Sequence, residues 1–116
     1  MIKGKPAVSN DVVAFGCYDG FVYAIDVRTR KERWPAYQAG SAIKAGVLIL
    51  GSIVYAASRD GVLHMIDLRN GQGIGTYATG GAINVTPVAA GRVVIVGSDN
   101  GAVCAVERNN LTGPGH

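Results

Sequence analysis

The sequence predicts an all-β protein built from three copies of one antiparallel unit. Gly and Pro supply 17 and 4 of the 116 residues, well above an average share of about 12%, and both residue types disfavour helix interiors. The apolar runs are short and rich in Val, Ile and Tyr, as is typical of strands. The same pattern of residues recurs after 41 and then 40 positions, so we expect a repeat protein.

Each copy contains two apolar runs joined by a hairpin signal. The copies align without a gap as Val12–Asp26, Ile53–Asp67 and Val93–Glu107. An Asp or Asn followed by Gly tolerates the positive φ angles that tight primed turns require. These pairs are Asp19-Gly20, Asp60-Gly61 and Asn100-Gly101. We therefore predict a β-hairpin in every copy.

An acidic residue ends the second run of each copy, at Asp26, Asp67 and Glu107. A carboxylate at this place can accept hydrogen bonds from the backbone N–H groups of the turn that follows. The alternative is that the acids only mark the solvated end of a strand.

Two further strands complete each unit. We expect outer strands at Lys31 to Tyr37 and Gly73 to Ala78, and inner strands at about Lys5 to Ser9, Ala45 to Leu50 and Thr86 to Ala89. The apolar runs lack strict alternation, which is typical of strands covered on both faces, so the sheets should stack. Four strands per 40 residues is the period of a β-propeller blade.

The predicted architecture is a single propeller-like domain over residues 1–116. The first blade covers about 5–43, the second about 44–83 and the third about 84–110, with a tail at 111–116. Propellers close with about 4 to 8 blades, so three blades form an incomplete ring per chain. The open blade faces would then need a partner, either a second copy or further blades of a longer polypeptide.

The segment from Ala24 to Trp34 resembles the tryptophan-docking motif of the pyrroloquinoline-quinone-type (PQQ-type) β-propeller repeat, written A-x-D-x-x-x-G-K-x-x-W. It keeps the Ala, Asp, Lys and Trp of the motif but has Arg30 where the family has Gly; the second copy keeps Asp67 and Gly71. The resemblance implies that Trp34 packs on the backbone of a neighbouring blade. A large aromatic residue of the core would show nearly the same burial.

Quinone-dependent dehydrogenases of this superfamily, as the resemblance implies, hold their cofactor with adjacent cysteines and a calcium ion. Cys17 and Cys104 are not adjacent, and we expect both to be buried free thiols. His64 lies inside a predicted strand, where a packed side chain is the simpler interpretation than a metal ligand. The sequence therefore predicts no cofactor, no metal and no enzymatic activity.

The charge and hydropathy of the sequence limit the classes of partner that we expect. A net charge of +3 is too small to indicate nucleic-acid binding, and no apolar run is long enough for membrane insertion as a helix. The N-terminal residues do not form a signal peptide; the expected location is cytoplasmic by default, or periplasmic if the chain is part of an exported protein. Arg28, Arg30 and Arg33 beside Trp34 could bind an acidic partner, although a solvated turn is the favoured interpretation.

These observations predict a non-catalytic interaction or scaffold module that either associates with itself or is a fragment of a larger propeller. The expected partner is a protein, first of all a second copy of the chain. The alternative is a part of a quinoprotein dehydrogenase, or of a ligand-sensing propeller, whose active portion lies in other blades. The fold alone does not choose between them.

Overall fold

The computed structural model describes residues 5–101 and 103–107, and it confirms the all-β prediction: this part of the chain contains twelve strands and no helix. The strands are β1 (Ala7–Ser9), β2 (Val12–Gly16), β3 (Phe21–Asp26), β4 (Lys31–Glu32), β5 (Tyr37–Gln38), β6 (Leu48–Leu50), β7 (Ile53–Ala57), β8 (Val62–Asp67), β9 (Gly73–Ala78), β10 (Val88–Ala90), β11 (Val93–Gly97) and β12 (Val103–Glu107). The predicted end of the third blade and the predicted tail at 111–116 lie outside the described residues.

The strands form three antiparallel sheets, one for each sequence repeat. The first blade has the order β1-β2-β3-β4, with β5 also paired to β3. The second blade has the order β6-β7-β8-β9, and the third shows β10-β11-β12 within the described residues. Every strand pairs with the next in its blade through a meander, apart from β5, which returns to β3.

The outer strand of the first blade differs from the prediction. Instead of one strand from Lys31 to Tyr37, the structure has two short strands, β4 and β5. Pro35 lies in the gap and cannot donate a ladder hydrogen bond. The preceding Trp34 turns away from its own sheet towards the second blade. The corresponding strand of the second blade, β9, has the predicted bounds.

The hairpins lie where they were predicted, but they are longer than two-residue primed turns. In each loop the Gly N–H donates to the carbonyl three residues earlier, over 3.1 Å at Gly20, 3.0 Å at Gly61 and 3.0 Å at Gly101. These glycines have φ values of 87°, 91° and 88°, whereas positive φ at other residue types occurs, within the described residues, only at Asn10, Asp11 and Arg30. The glycine alone therefore supplies the left-handed conformation, and the Asp or Asn before it serves as a side-chain acceptor.

The core lies between the blades rather than inside any one of them. One apolar cluster fills the space between the first and second blades, and another fills the space between the second and third. The strand β7 is therefore buried along its whole length, while β2 and β11 alternate between buried and half-buried residues. Coverage on both faces, which the sequence predicts for every blade, holds among the described residues only for the second blade.

Over residues 5–101 and 103–107 the chain has no helix of the length and hydropathy that crossing a bilayer requires.

Candidate functional site

Trp34 connects the first blade to the second. Its indole Nε1–H donates to the carbonyl of Leu68 over 2.8 Å, and its side chain is buried. The ring lies against Gly71, where an added Cβ would fall 2.4 Å from the Trp34 Cδ2 atom. Gly71 has a φ of 79°, so both its backbone conformation and the ring above it require a residue without a side chain.

The turn that receives Trp34 is fixed by Asp67. The Asp67 carboxylate accepts the backbone N–H of Arg69 over 2.9 Å and its guanidinium Nη2 over 3.0 Å, and the Gly71 N–H donates to the Asp67 carbonyl over 2.8 Å. The Arg69 side chain, and then its backbone N–H, lower the pKa of Asp67. Asp67 is thus part of the architecture of the Trp34 contact.

The same turn occurs in the first blade, with Arg30 at the place of Gly71. The Asp26 carboxylate accepts the backbone N–H groups of Arg28 over 2.9 Å and Thr29 over 3.3 Å, and these hydrogen bonds lower its pKa. The Arg30 N–H donates to the Asp26 carbonyl over 2.7 Å, and Arg30 has a φ of 64°. The backbone of this turn matches that of the Gly71 turn. However, Arg30 carries a side chain at the place where the second blade has a glycine that leaves room for the Trp34 ring.

The three arginines predicted as a partner site lie together on this exposed turn, but they differ in their roles. Arg33 reaches back to Asp26 over 3.5 Å and so supports the turn. The backbone of Arg28 is a donor to the same carboxylate. Arg30 holds the left-handed position described above.

A second connection between the first two blades is a chain of hydrogen bonds centred on His64. The Tyr37 hydroxyl lies 2.9 Å from His64 Nδ1, and His64 Nε2 lies 3.2 Å from Ser58 Oγ. Ser58 in turn donates to the Asp60 carboxylate in its hairpin. Burial lowers the pKa of His64 and raises that of Tyr37, so both side chains are neutral at pH 7.

The chemistry of this chain of side chains is that of a structural network. Ser58 is completely buried, so its hydroxyl cannot reach a substrate. The carboxylate of Asp60 pairs with Ser58 rather than with His64, whereas a catalytic triad needs the acid to orient the histidine. The sequence indicates His64 as a packed strand residue, but its partners Tyr37 and Ser58 carry no motif that would single them out.

The outer two blades use the corresponding hairpin residues differently. Asp19 accepts from the Tyr23 hydroxyl and from the Phe21 N–H, and this pairing lowers the pKa of Asp19 and raises that of Tyr23 to about 12. Asn100 accepts from the Ser98 hydroxyl. Each predicted hairpin acceptor therefore serves its own loop.

The remaining predicted residues lie apart from these contacts. Glu107 is the last residue of β12 and lies opposite Val93; the turn that would follow it lies outside the described residues. Both cysteines are reduced, with Cys17 buried and Cys104 only half-buried. The expectation of full burial is wrong for Cys104 because it lies on the last described strand, at the edge of its sheet. The described residues bring together no group of three His, Cys, Asp or Glu side chains that could hold a metal ion.

Two apolar sheet faces remain uncovered by any described residue. The first-blade open face consists of Val8, Val13, Phe15, Phe21, Tyr23 and Ile25, with Phe15 stacked on Tyr23 at 5.4 Å between ring centroids. The third-blade open face consists of Val88, Ala90, Val93, Ile95, Val103 and Ala105. Val8 and Val103 are 67% and 71% exposed. Exposed apolar faces of this kind mark interaction surfaces.

Radially stacked antiparallel sheets with a tryptophan seated on the following blade define a set of β-propeller blades. A family model described as "Outer membrane protein assembly factor BamB" matches residues 1–112. The chain therefore belongs to this family of PQQ-type propeller repeats. A search of the curated proteins gives no match.

Solved structures share this fold. BamB from Moraxella catarrhalis is 26% identical with a TM-score of 0.80, over 93% of this chain and 35% of that one. The computationally designed protein Ika4 is 21% identical with a TM-score of 0.79, over 90% of this chain and 64% of its own. The quinohemoprotein alcohol dehydrogenase from Comamonas testosteroni is 21% identical with a TM-score of 0.81, over 93% of this chain and 19% of its own. The chain thus spans about a third of the length of the BamB structure.

Proposed function

We propose that this chain is a non-catalytic interaction module that binds protein through the open faces of its first and third blades. The observation that carries the proposal is the exposure of Val103, which is 71%, whereas Val22 and Leu63 at the same position of the other repeats are fully buried. A position that is buried in two blades and exposed in the third supports a surface that further protein covers, either a partner or another blade.

The polar repeat residues support the same conclusion. Asp26 and Asp67 organise turns, Trp34 joins two blades, and Ser58 with His64 joins the same two from within. Each of these groups already has an architectural role. The description of the family as an assembly factor of the outer membrane favours a protein partner and a periplasmic location over the cytoplasmic one.

The exposed turn that carries Arg28, Arg30 and Arg33 makes a second, smaller contribution to partner binding. The three side chains are exposed on one turn at the edge of the first blade, next to the blade face that we propose as a binding surface. A partner with acidic residues at its rim would gain from this charge, more in association rate than in affinity.

Photo-crosslinking in the source cell tests the proposal. A photoreactive phenylalanine analogue replaces Val8, Val103 or, as a control, Val85, which is 52% exposed in the linker between the second and third blades. We expect discrete protein adducts from positions 8 and 103 and none from 85, with weaker adducts after charge reversal of the three arginines.

The competing hypothesis is that this chain is part of a quinoprotein dehydrogenase. Purified protein that binds pyrroloquinoline quinone stoichiometrically and supports quinone-dependent dye reduction, with no adducts from the two faces, would contradict the interaction module.

A further inference from the structure

The position of each proton in the His64 network follows from its neighbours. Ser58 has one hydroxyl proton, and two groups that can only accept lie within its reach: the Asp60 carboxylate and the Val62 carbonyl, the latter at 3.1 Å. The Ser58 oxygen therefore accepts from His64 Nε2, which lies 3.2 Å away. The neutral ring accordingly carries its single proton on Nε2.

This tautomer sets the direction of the contact between the first two blades. With its proton on Nε2, His64 has a bare Nδ1 that can only accept a hydrogen bond. The Tyr37 hydroxyl lies 2.9 Å from Nδ1 and is therefore the donor. Donation runs in one direction, from Tyr37 on β5 through His64 to Ser58, and from Ser58 into the hairpin of the second blade.

A proton added to His64 reverses this contact and no other in the network. The second ring proton enters at Nδ1, where it meets the proton of the Tyr37 hydroxyl. The hydroxyl then has to turn its own proton away before it can accept from the ring. The contact to Ser58 is unchanged, because Nε2–H donates in both states of the ring.

Strand β5, which carries Tyr37, has only a short ladder of its own. It has two residues and two register pairs with β3, and the Tyr37 ring packs edge-on against the His64 ring at 5.4 Å between centroids. We propose that the contact of Tyr37 with His64 is an acid-sensitive latch, which holds β5 against the second blade while the imidazole is neutral and releases it once the imidazole is protonated. Trp34, which anchors the same segment, has no titrating group in its contact.

The titratable side chains that face the His64 ring in the described part of the chain are Tyr37 and Asp60. Tyr37 reaches the ring from β5, and the charge of Asp60 acts on it from the hairpin. Across the sheet, His64 lies opposite Ala56 on β7 and Thr76 on β9, neither of which titrates. Burial lowers the pKa of His64 from 6.5, against the opposing effect of Asp60, so the latch is closed at neutral pH and opens in acid.

The next junction repeats the arrangement without a histidine. Tyr77 in β9 occupies the position of Tyr37, since the two tyrosines pair with equivalent residues of the neighbouring strand, and Cys104 occupies the position of His64. A thiol gains no positive charge in acid. Acid release is therefore expected for β5 and not for β9, which serves as an internal reference.

Nitrogen-15 NMR of the imidazole rings in the purified chain tests the assigned protons. At pH 7 we expect a proton on Nε2 of His64 and a bare Nδ1, and on acidification we expect Nδ1 to become protonated as well. The chain has two histidines, and His64→Gln identifies which signals belong to the network. A neutral ring with its proton on Nδ1 would overturn the proposal.

Hydrogen exchange tests the release itself. Between pH 7 and the pH at which Nδ1 is protonated, the amides of β5 should lose at least about threefold in protection, after correction for the intrinsic pH dependence of exchange. Those of β9 should change by less than about 1.5-fold. Tyr37→Phe keeps the ring but lacks the hydroxyl, so its β5 should be less protected at pH 7 and should lose nothing more in acid. His64→Gln should likewise show no loss in acid.

Three further results would contradict the latch: equal losses of protection in β5 and β9, an acid loss in β5 that persists in Tyr37→Phe, or global unfolding before Nδ1 gains its proton. Circular dichroism verifies that each variant is folded, and either variant alone provides the comparison. The emission of Trp34 should stay constant through the titration, because its own contact does not titrate. A red shift that accompanies the loss in β5 would mean that the whole segment leaves the second blade, against a release confined to β5.

Discussion

At the residue scale, the packing of the Trp34 ring on Gly71 shows how the absence of one side chain allows two blades to come into contact. Gly71→Ala would place a Cβ 2.4 Å from the Trp34 ring and force an alanine to a φ of 79°. We expect the free energy of unfolding to fall by about 2–4 kcal/mol. Urea unfolding measures the loss, and the emission of Trp34, the single tryptophan of the chain, should shift to the red as its ring leaves the seat.

Gly40→Ala is the matched control for this prediction. Gly40 has a φ of 88°, but a Cβ added there would meet no atom within 4 Å, so the change carries only the cost of the left-handed backbone, about 1–2 kcal/mol. An equal loss in both variants, with unchanged emission from Trp34, would show that the indole seat contributes nothing.

His64 predicts a dependence of stability on pH. Burial lowers its pKa from 6.5 in the folded chain, so the folded state prefers the neutral ring. As the pH falls through about 6.5 the unfolded chain takes up a proton that the folded chain does not, and the free energy of unfolding decreases until the folded pKa is reached. The side chains facing the ring are Tyr37, Ser58 and Asp60.

We expect the free energy of unfolding to fall between about pH 7 and pH 5.5, by at most about 1.4 kcal/mol per pH unit. His64→Gln removes the titrating group and should flatten this range. Asp19, Asp26 and Asp67, whose pKa values are lowered from 3.8, contribute stability that is lost only below about pH 4. A decline between pH 7 and pH 5.5 that persists in His64→Gln would exclude the histidine as its source.

At the scale of single elements, the three hairpins share one loop geometry but differ in burial. Ser58 donates to Asp60, accepts or donates at His64, and contacts the Val62 carbonyl, all inside the core. Ser98 makes the same contact to Asn100 in an exposed loop. Removing a buried hydroxyl leaves its former partners unsatisfied, which removing an exposed one does not.

We therefore expect Ser58→Ala to lower the free energy of unfolding by about 1–3 kcal/mol and Ser98→Ala by less than about 1 kcal/mol. Chemical denaturation of the two variants measures the difference. Equal losses would mean that the hairpin contact itself matters and that its connection to His64 does not.

Much of the element order could be read from the sequence, because hairpin signals and acidic strand ends are local. The position of β9 and the three hairpins follow from such signals. The division of the first outer strand into β4 and β5 does not follow from local signals. Trp34, which lies between them, donates a hydrogen bond to a turn more than thirty residues away. Strand length is similarly decided by neighbours: the inner strands β1, β6 and β10 have three residues each.

The candidate site divides in the same way. Gly71 and Trp34 belong to a motif, and Arg30 could be seen as a departure from it. The effect of Arg30 depends on how closely the Trp34 ring packs on the equivalent Gly71, and no sequence pattern contains that geometry. The network of Tyr37, His64 and Ser58 joins two repeats. His64 aligns with Tyr23 and Cys104 in the other copies, so a repeat alignment conceals its role.

At the scale of the whole molecule, the middle blade is the best protected part of the described chain. Strands β7 and β8 have almost entirely buried residues, whereas β12 alternates between exposed and half-buried ones and β10 is exposed throughout. Regions with more buried apolar contacts open less often. Protection should therefore fall outwards from the second blade.

Hydrogen exchange read by mass spectrometry measures this gradient. In the purified chain at low concentration we expect amides of β7 and β8 to exchange at least about 100-fold more slowly than those of β12, because among the described blades only the middle one is covered on both sides. Uniform protection at low concentration would show that the three blades unfold as one unit, and the open faces would then have no independent weakness for a partner to relieve.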